Sequence, residues 1–158
     1  MLMTRSAARG TATGSSRRAA SRDPGREAWA LLYELLQRQR RRFFSIAAEL
    51  GLAPMQAHTL RLLEPETPIP MSEVAEALSC DASNVTGIID RLESRGLVER
   101  RSDPNDRRVR MLIVTRKGAV LRERLVGRLG EPPAEVALLP AADQRTLRDI
   151  LRKTLGRP

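Results

Sequence analysis

The chain has 158 residues, 28 of them Lys or Arg against 19 Asp or Glu, for a net charge of +9; apolar residues make up 41% and aromatics only 3%. That length supports one domain with a real core, built mostly from Leu, Ile, Val and Ala, and the positive balance puts polyanions first among partners, nucleic acid ahead of an anionic membrane surface. No apolar run approaches the roughly 18 residues of a membrane span, and a single cysteine, Cys80, excludes an intrachain disulfide and fits a reducing cytoplasm.

Residues 1–22 are small, polar and basic, with no acid before Asp23 and no apolar segment of a secretory signal. They read as a disordered basic tail that cannot bury enough surface to fold. A transit peptide, or an arm lying along phosphates or a minor groove, are the other readings. Asp23-Pro24 then looks like an N-cap and first helical residue. Trp29, Leu32, Leu36, Phe43, Ala47 and Leu50 recur at helical steps as far as Gly51, which stops the helix. Most of the cluster Arg38, Arg40, Arg41 and Arg42 within it reads as a solvated face.

Pro54 opens a second helix with Met55, Leu60, Leu62 and Leu63 as its apolar content. The run EPETPIP, residues 64–70, ends it, because three prolines cannot sit inside a helix. Ser72 is the expected cap of a short third helix, with Val74, Ala75 and Leu78 inward. After a break at Ser79, Cys80 and Asp81, a fourth helix runs from Ala82 to about Arg95. Asp81 is its N-cap, Val85, Ile88, Ile89 and Leu92 its buried stripe, and Gly96 its stop.

Two short helices followed directly by strand, turn and strand make a helix-turn-helix with an added hairpin, a winged helix. The turn is SDPNDRRVR, Ser102 to Arg110: turn-forming Asp, Pro and Asn, then arginines. Thr115 caps a fifth helix to about Leu129; Gly130, Pro132 and Pro133 interrupt; a last helix covers about Ala142 to Leu155. The fold class is therefore mainly α with a small β-hairpin. The expected domains are the tail 1–22, a dimerisation helix 23–51, a DNA-binding winged helix-turn-helix 52–115, and C-terminal helices 116–158 that complete the dimer.

The segment SNVTGIIDRLESRGLVERRSDPNDRRVRMLIVTRKG resembles the signature of the MarR family of bacterial winged-helix transcription regulators. The shared elements are D-R-L-E at Asp90 to Glu93, R-G-L-V at Arg95 to Val98, Glu99-Arg100, Asp106-x-Arg108, and Val114-Thr115-Arg116-Lys117-Gly118. The resemblance covers about residues 26–155. It implies a homodimer with intertwined terminal helices that binds pseudo-palindromic operators, usually represses, and often answers to small aromatic or phenolic ligands or to oxidants. Three departures stand out: Ala53 where Ser or Thr is the expected cap, Gly87 where a larger residue is common, and a Pro-rich linker from Gly130 to Pro140.

With Val85, Ile89 and Leu92 buried, Ser83, Asn84, Thr86, Gly87 and Arg91 are left for a major groove. There Asn can pair with adenine and Thr can give its methyl to thymine. Capping is the alternative role for Ser83, and an ion pair with a neighbouring acid the alternative for Arg91. On the wing, Arg107, Arg108 and Arg110 are the DNA candidates, the resemblance favouring Arg108 for the groove. Asp106 is the expected wing support, holding a nearby arginine by a charge-assisted bond. A solvated hairpin is the competing account.

Trp29, Leu32, Leu36, Leu147, Ile150 and Leu151 exceed what a small winged domain can cover, and form the expected dimer seam. Two half-sites would then lie about 10 bp apart. The resemblance places effector pockets between dimer helices and winged domain; Tyr33, Met55, His58 and Arg61 are the candidates, although a lone His is more often a surface or core residue. Cys80 is the one redox candidate, its alternative being a small buried hydrophobe. An enzyme lacks parts here: one His, one Cys, no Gly-rich phosphate loop and no metal-ligand cluster, so no cofactor is expected. A nonspecific architectural DNA-binding protein is the second hypothesis. An RNA-binding module would need stacking aromatics, and Trp29, Tyr33, Phe43 and Phe44 all fall on one helix.

Overall fold

The computed structural model describes residues 23–106 and 108–157, so the expected tail 1–22 lies outside the described residues. In chain order the elements are α1 (Pro24–Glu49), α2 (Pro54–Leu62), β1 (Ile69–Pro70), α3 (Met71–Leu78), α4 (Ala82–Ser94), β2 (Val98–Ser102), β3 (Arg110–Val114), α5 (Arg116–Gly130), α6 (Ala134–Ala137) and α7 (Ala141–Thr154). The chain divides into two units at Arg38/Gln39. The first contributes the N-terminal part of α1. Asp23 Oδ1 accepts the Gly25 backbone N–H at 3.0 Å there, and Arg38 pairs with Glu34 one turn back at 2.7 Å.

In the second unit, α1 ends as its glycine dictates: Gly51 has φ +68°, a conformation that costs a Cβ-bearing residue about 1 kcal/mol or more. α2 starts without a hydroxyl cap. The Gln56 side chain reaches back instead, and its Oε1 accepts the Ala53 N–H at 3.0 Å. Half of a capping box is thereby made from the glutamine side. α3 begins at Met71 with Pro70 as its N-cap, so Ser72 lies in the first turn and is not the cap. The break after α3 is a left-handed Ser79, φ 48°.

The hairpin is part of a larger sheet than the sequence suggests. Three antiparallel strands run in the order β1-β3-β2, with Ile69 opposite Leu112 and Val98 opposite Val114. The Pro-rich run after α2 thus does more than end a helix. Pro70 has no N–H to donate and is tolerated because β1 is an edge. Two residues are too short to show a strand period. α6 is likewise one turn too short to announce itself.

The core joins Ile46 and Ala47 of α1, Leu60 of α2, Val74 and Leu78 of α3, Val85, Ile89 and Leu92 of α4, Leu97, Val98, Leu112 and Val114 of the sheet region, and Leu125 of α5. Ile88 is only half-buried and Met55 is exposed. α7 buries no residue: Leu147 is half-buried, and Ile150, Leu151 and Leu155 are exposed. Among the described residues no helix is long and apolar enough to cross a membrane.

One junction ties these elements. The Thr115 N–H donates to Leu97 O at 3.1 Å, its hydroxyl donates to Gly96 O at 2.7 Å, and the same oxygen accepts the Gly118 N–H at 3.0 Å, capping α5. A Cβ on Gly118 would lie 1.9 Å from Leu97 O. No rotamer change relieves a clash with backbone. Gly118→Ala should therefore destabilise the fold by about 3 kcal/mol, at the upper end of overpacking costs, read as a lower denaturant midpoint with an unchanged slope.

Candidate nucleic-acid interface

α4 carries two faces set by its period. Val85, Ile89 and Leu92 are buried; Ser83, Asn84, Thr86 and Arg91 are exposed, and Gly87 is half-buried. Ser83, Asn84, Gly87 and Arg91 share an open groove of about 390 Å³ with Ile88, Met55 of α2 and Cys80. No acid pairs with Arg91 among the described residues, so the ion pair weighed for it is not formed there. A Cβ on Gly87 would meet nothing within 4 Å. Glycine is therefore not required there by packing, and its bare backbone leaves that stretch of the helix open to close approach.

The wing loop between β2 and β3 is built by two aspartates acting on backbone. Asp103 Oδ1 accepts the N–H of Asn105 at 2.6 Å and of Asp106 at 3.2 Å, and the Asp103 N–H donates to Val109 O at 3.0 Å. Asp106 Oδ1 accepts the Arg108 N–H at 2.9 Å. The expected wing support thus works through the Arg108 backbone, among the described residues, and not through a guanidinium. Both are Asx turns, in which a short carboxylate imitates the backbone acceptor of a tighter turn. Asp103 was not singled out from sequence; its place two residues before Asn105 was the available signal. The Arg108 side chain is exposed. Arg110 is exposed and crosses the hairpin to donate to Ser102 Oγ at 3.1 Å. Arg107 lies outside the described residues.

Arg100 couples wing to helix. Its guanidinium pairs with Glu93 through Nη1 and with Asp90 through Nη2 at 2.6 Å, while its backbone N–H donates to Glu93 Oε1 at 3.1 Å and Nη2 approaches Thr86 O at 3.3 Å. The acids of the D-R-L-E run and the arginine after Glu99 thus form one clamp between α4 and β2. From sequence these looked like signature letters without a role.

The other candidates separate. His58 packs edge-on against Phe43, ring centroids 6.4 Å apart, and Arg61 Nη2 stands 3.5 Å from its Nδ1. Met55 faces the groove beside α4. Tyr33 is exposed on α1. Cys80 is half-buried, next to Ser83 and Asn84 in that groove.

The MarR family model matches residues 52–109, from the first buried residue after α1 to the last residue of the wing loop. This is a MarR family domain. Beyond it, the chain is 32% identical over 96 residues to the HTH-type transcriptional repressor NicR of Pseudomonas putida, an alignment covering 61% of each. The chain spans about half the length of other curated relatives it matches. It also resembles the apo form of wild-type MarR from E. coli, with 27% identity and a TM-score of 0.69 over 80% of this chain and 94% of that one. A mutant of S. aureus MepR bound to an oligodeoxyribonucleotide shares the fold, at TM-score 0.65 and 21% identity over 81% and 96%.

Two outcomes check the clamp and the histidine. Arg100→Ala should cost about 1–2 kcal/mol of stability, since the pairs are partly screened. A double-mutant cycle with Glu93→Ala should return a coupling of about 1 kcal/mol. Burial first, and then Arg61, hold the His58 pKa below its ordinary 6.5. A depressed histidine favours the neutral form in the fold, so its contribution is complete above pH 6.5 and is lost as pH falls through the folded value. Between pH 7.5 and 5.5 the denaturant midpoint should drop more in the wild type than in His58→Gln.

Proposed function

We propose that this chain is a sequence-specific, double-stranded DNA-binding transcription regulator, a repressor acting as a homodimer on a pseudo-palindromic operator. The observation that carries the reading is the clamp at Arg100. It fixes a helix bearing exposed Ser83, Asn84 and Arg91 relative to a hairpin bearing exposed Arg108 and Arg110. A rigid pair of this kind suits a helix in the major groove and a wing along the adjacent minor groove. Thr86 and the bare backbone of Gly87 belong to the same helical face or its margin, and Arg107 to the same wing.

Three further points support the reading. The net charge of +9 favours a polyanion. The MarR family match, the repressor NicR and the oligonucleotide-bound MepR supply precedents for the fold's use. Trp29 and Leu36 on α1, and Ile150 and Leu151 on α7, are exposed apolar residues that a second copy would cover. Residues 23–51 and 116–158 would then be dimerisation helices flanking the winged domain at 52–115. Release by a small aromatic or phenolic effector near Tyr33, Met55, His58 and Arg61, or by oxidation of Cys80, belongs to the same proposal, as do a cytoplasmic location and the absence of catalysis.

The competing reading, an architectural protein that coats DNA, rests on the same charge. Affinity for the intergenic DNA beside its own gene should exceed that for random duplex by roughly 10³ at one salt concentration; a ratio near one favours coating. Arg108→Ala should weaken binding to every duplex and reduce the salt slope by roughly one unit. Asn84→Ala should alter preference among operator variants by about 1–3 kcal/mol at one base pair and leave the slope unchanged. Footprints on both halves of an inverted repeat, about 10 bp apart, would mark the dimer.

A further inference from the structure

α4 carries a glycine that its own fold does not use. Among the described residues the glycines of positive φ are Gly51, Gly96 and Gly156, and Gly87 is not one of them. A Cβ on Gly87 would meet nothing within 4 Å. Neither backbone conformation nor packing therefore requires glycine there, although it weakens a helix interior relative to alanine. The missing side chain leaves a notch, and around it lies the groove of about 390 Å³ shared by α2 and α4. Met55, Cys80 and Ile88 give that groove soft apolar walls, Asn84 and Arg91 flank the notch, and no carboxylate lines it. Met55 is 39% exposed, so its thioether is open to an occupant.

What stands on either side of the notch defines that occupant. Asn84, Gly87 and Arg91 fall at positions i, i+3 and i+7, one face of the helix. Asn84 and Arg91 are exposed on it, and no acid pairs with Arg91 among the described residues. From Asn84 to Arg91 the helix rises about 10.5 Å, the length of about three base-pair steps. On the reading that α4 lies in a major groove, on which this inference rests, the notch faces a base pair between those met by Asn84 and Arg91. The floor of a major groove presents hydrogen-bonding groups and one apolar projection, the methyl on C5 of a pyrimidine. A base amino or carbonyl group would find no strong partner among Met55, Cys80 and Ile88, and would lose its water there. A methyl group loses nothing by entering, and gains three apolar neighbours.

We propose that Gly87 and Met55 form a pocket for the 5-methyl group of a pyrimidine, so that α2 and α4 together read one methyl-bearing base between the contacts of Asn84 and Arg91. Thymine supplies that methyl in ordinary DNA, and 5-methylcytosine supplies it in modified DNA. The test starts from duplexes selected by the full chain out of a random-sequence pool. In a selected duplex each thymine in turn is replaced by deoxyuridine, which removes the methyl alone. At one position affinity should fall about fourfold, the effect of one buried methyl. With a C·G pair at that position, 5-methylcytosine should bind better than cytosine by a similar factor. Gly87→Ala, which fills the notch, and Met55→Ala, which removes a wall, should each bring both ratios to within about twofold of unity. Both variants should unfold near the wild-type temperature, because the space at Gly87 is open and Met55 is exposed. Deoxyuridine equal to thymine at every position, cytosine equal to its 5-methyl form, or a ratio left unchanged by either variant would overturn the pocket while sequence-specific binding stands. A pool that returns no preferred duplex would overturn the proposed function and this inference with it.

Discussion

The carbonyl of Leu97 lies against the backbone of Gly118, in the place a methyl group would need. That contact brings the exit of α4, the first residue of β2, the last of β3 and the first turn of α5 within reach of one threonine. Thr115 then closes the junction with its N–H and its hydroxyl. Everything that a DNA-facing surface requires is measured from this point. The direction in which α4 leaves it sets where Ser83 and Asn84 stand. The twist of the hairpin sets where Arg108 stands. A glycine is used because backbone must touch backbone; any side chain would push α5 off the sheet and splay the hairpin from the helix.

The Arg100 clamp adds the second constraint. Hairpins of two strands bend easily, and a wing that swings cannot hold an arginine over a groove. Asp90 and Glu93 lie about one turn apart on α4, so a single guanidinium from β2 spans both. At the far end, Asp103 and Asp106 spend their carboxylates on backbone N–H groups. Four acids in a strongly basic surface are thus used to shape it.

The distribution of cations divides along the same lines. Some are structural: Arg95 on Gly51, Arg128 on Glu49 at 2.6 Å, and Arg122 on Glu64. Others are exposed without an acid partner among the described residues: Arg91 and Arg108 on α4 and the wing, and Arg116 and Arg124 on α5. The spacing between these two groups, set by the length of α4 and of the hairpin, lets one small fold present two separate basic surfaces.

Much of this was legible in the residues. The 3- and 4-residue steps gave α1 and α4, glycines 51 and 96 marked their stops, and the Asp-Pro-Asn turn between apolar runs announced the wing, because these signals are local. Signature letters such as Asp90, Glu93, Arg100 and Gly118 carried the resemblance without revealing a reason. Only the tertiary structure supplied one, since each acts on a partner seven or more residues away, or, for Gly118, on the backbone of Leu97. The edge strand at Ile69–Pro70 was hidden for the same reason: two residues have no period, and their pairing is decided by β3. Asp106 was expected from charge to hold a nearby arginine; among the described residues the loop's curvature delivers the Arg108 N–H to it. Local sequence determined which helices form and which faces are apolar; long-range contact decided which polar side chains build the fold and which remain exposed to meet a ligand.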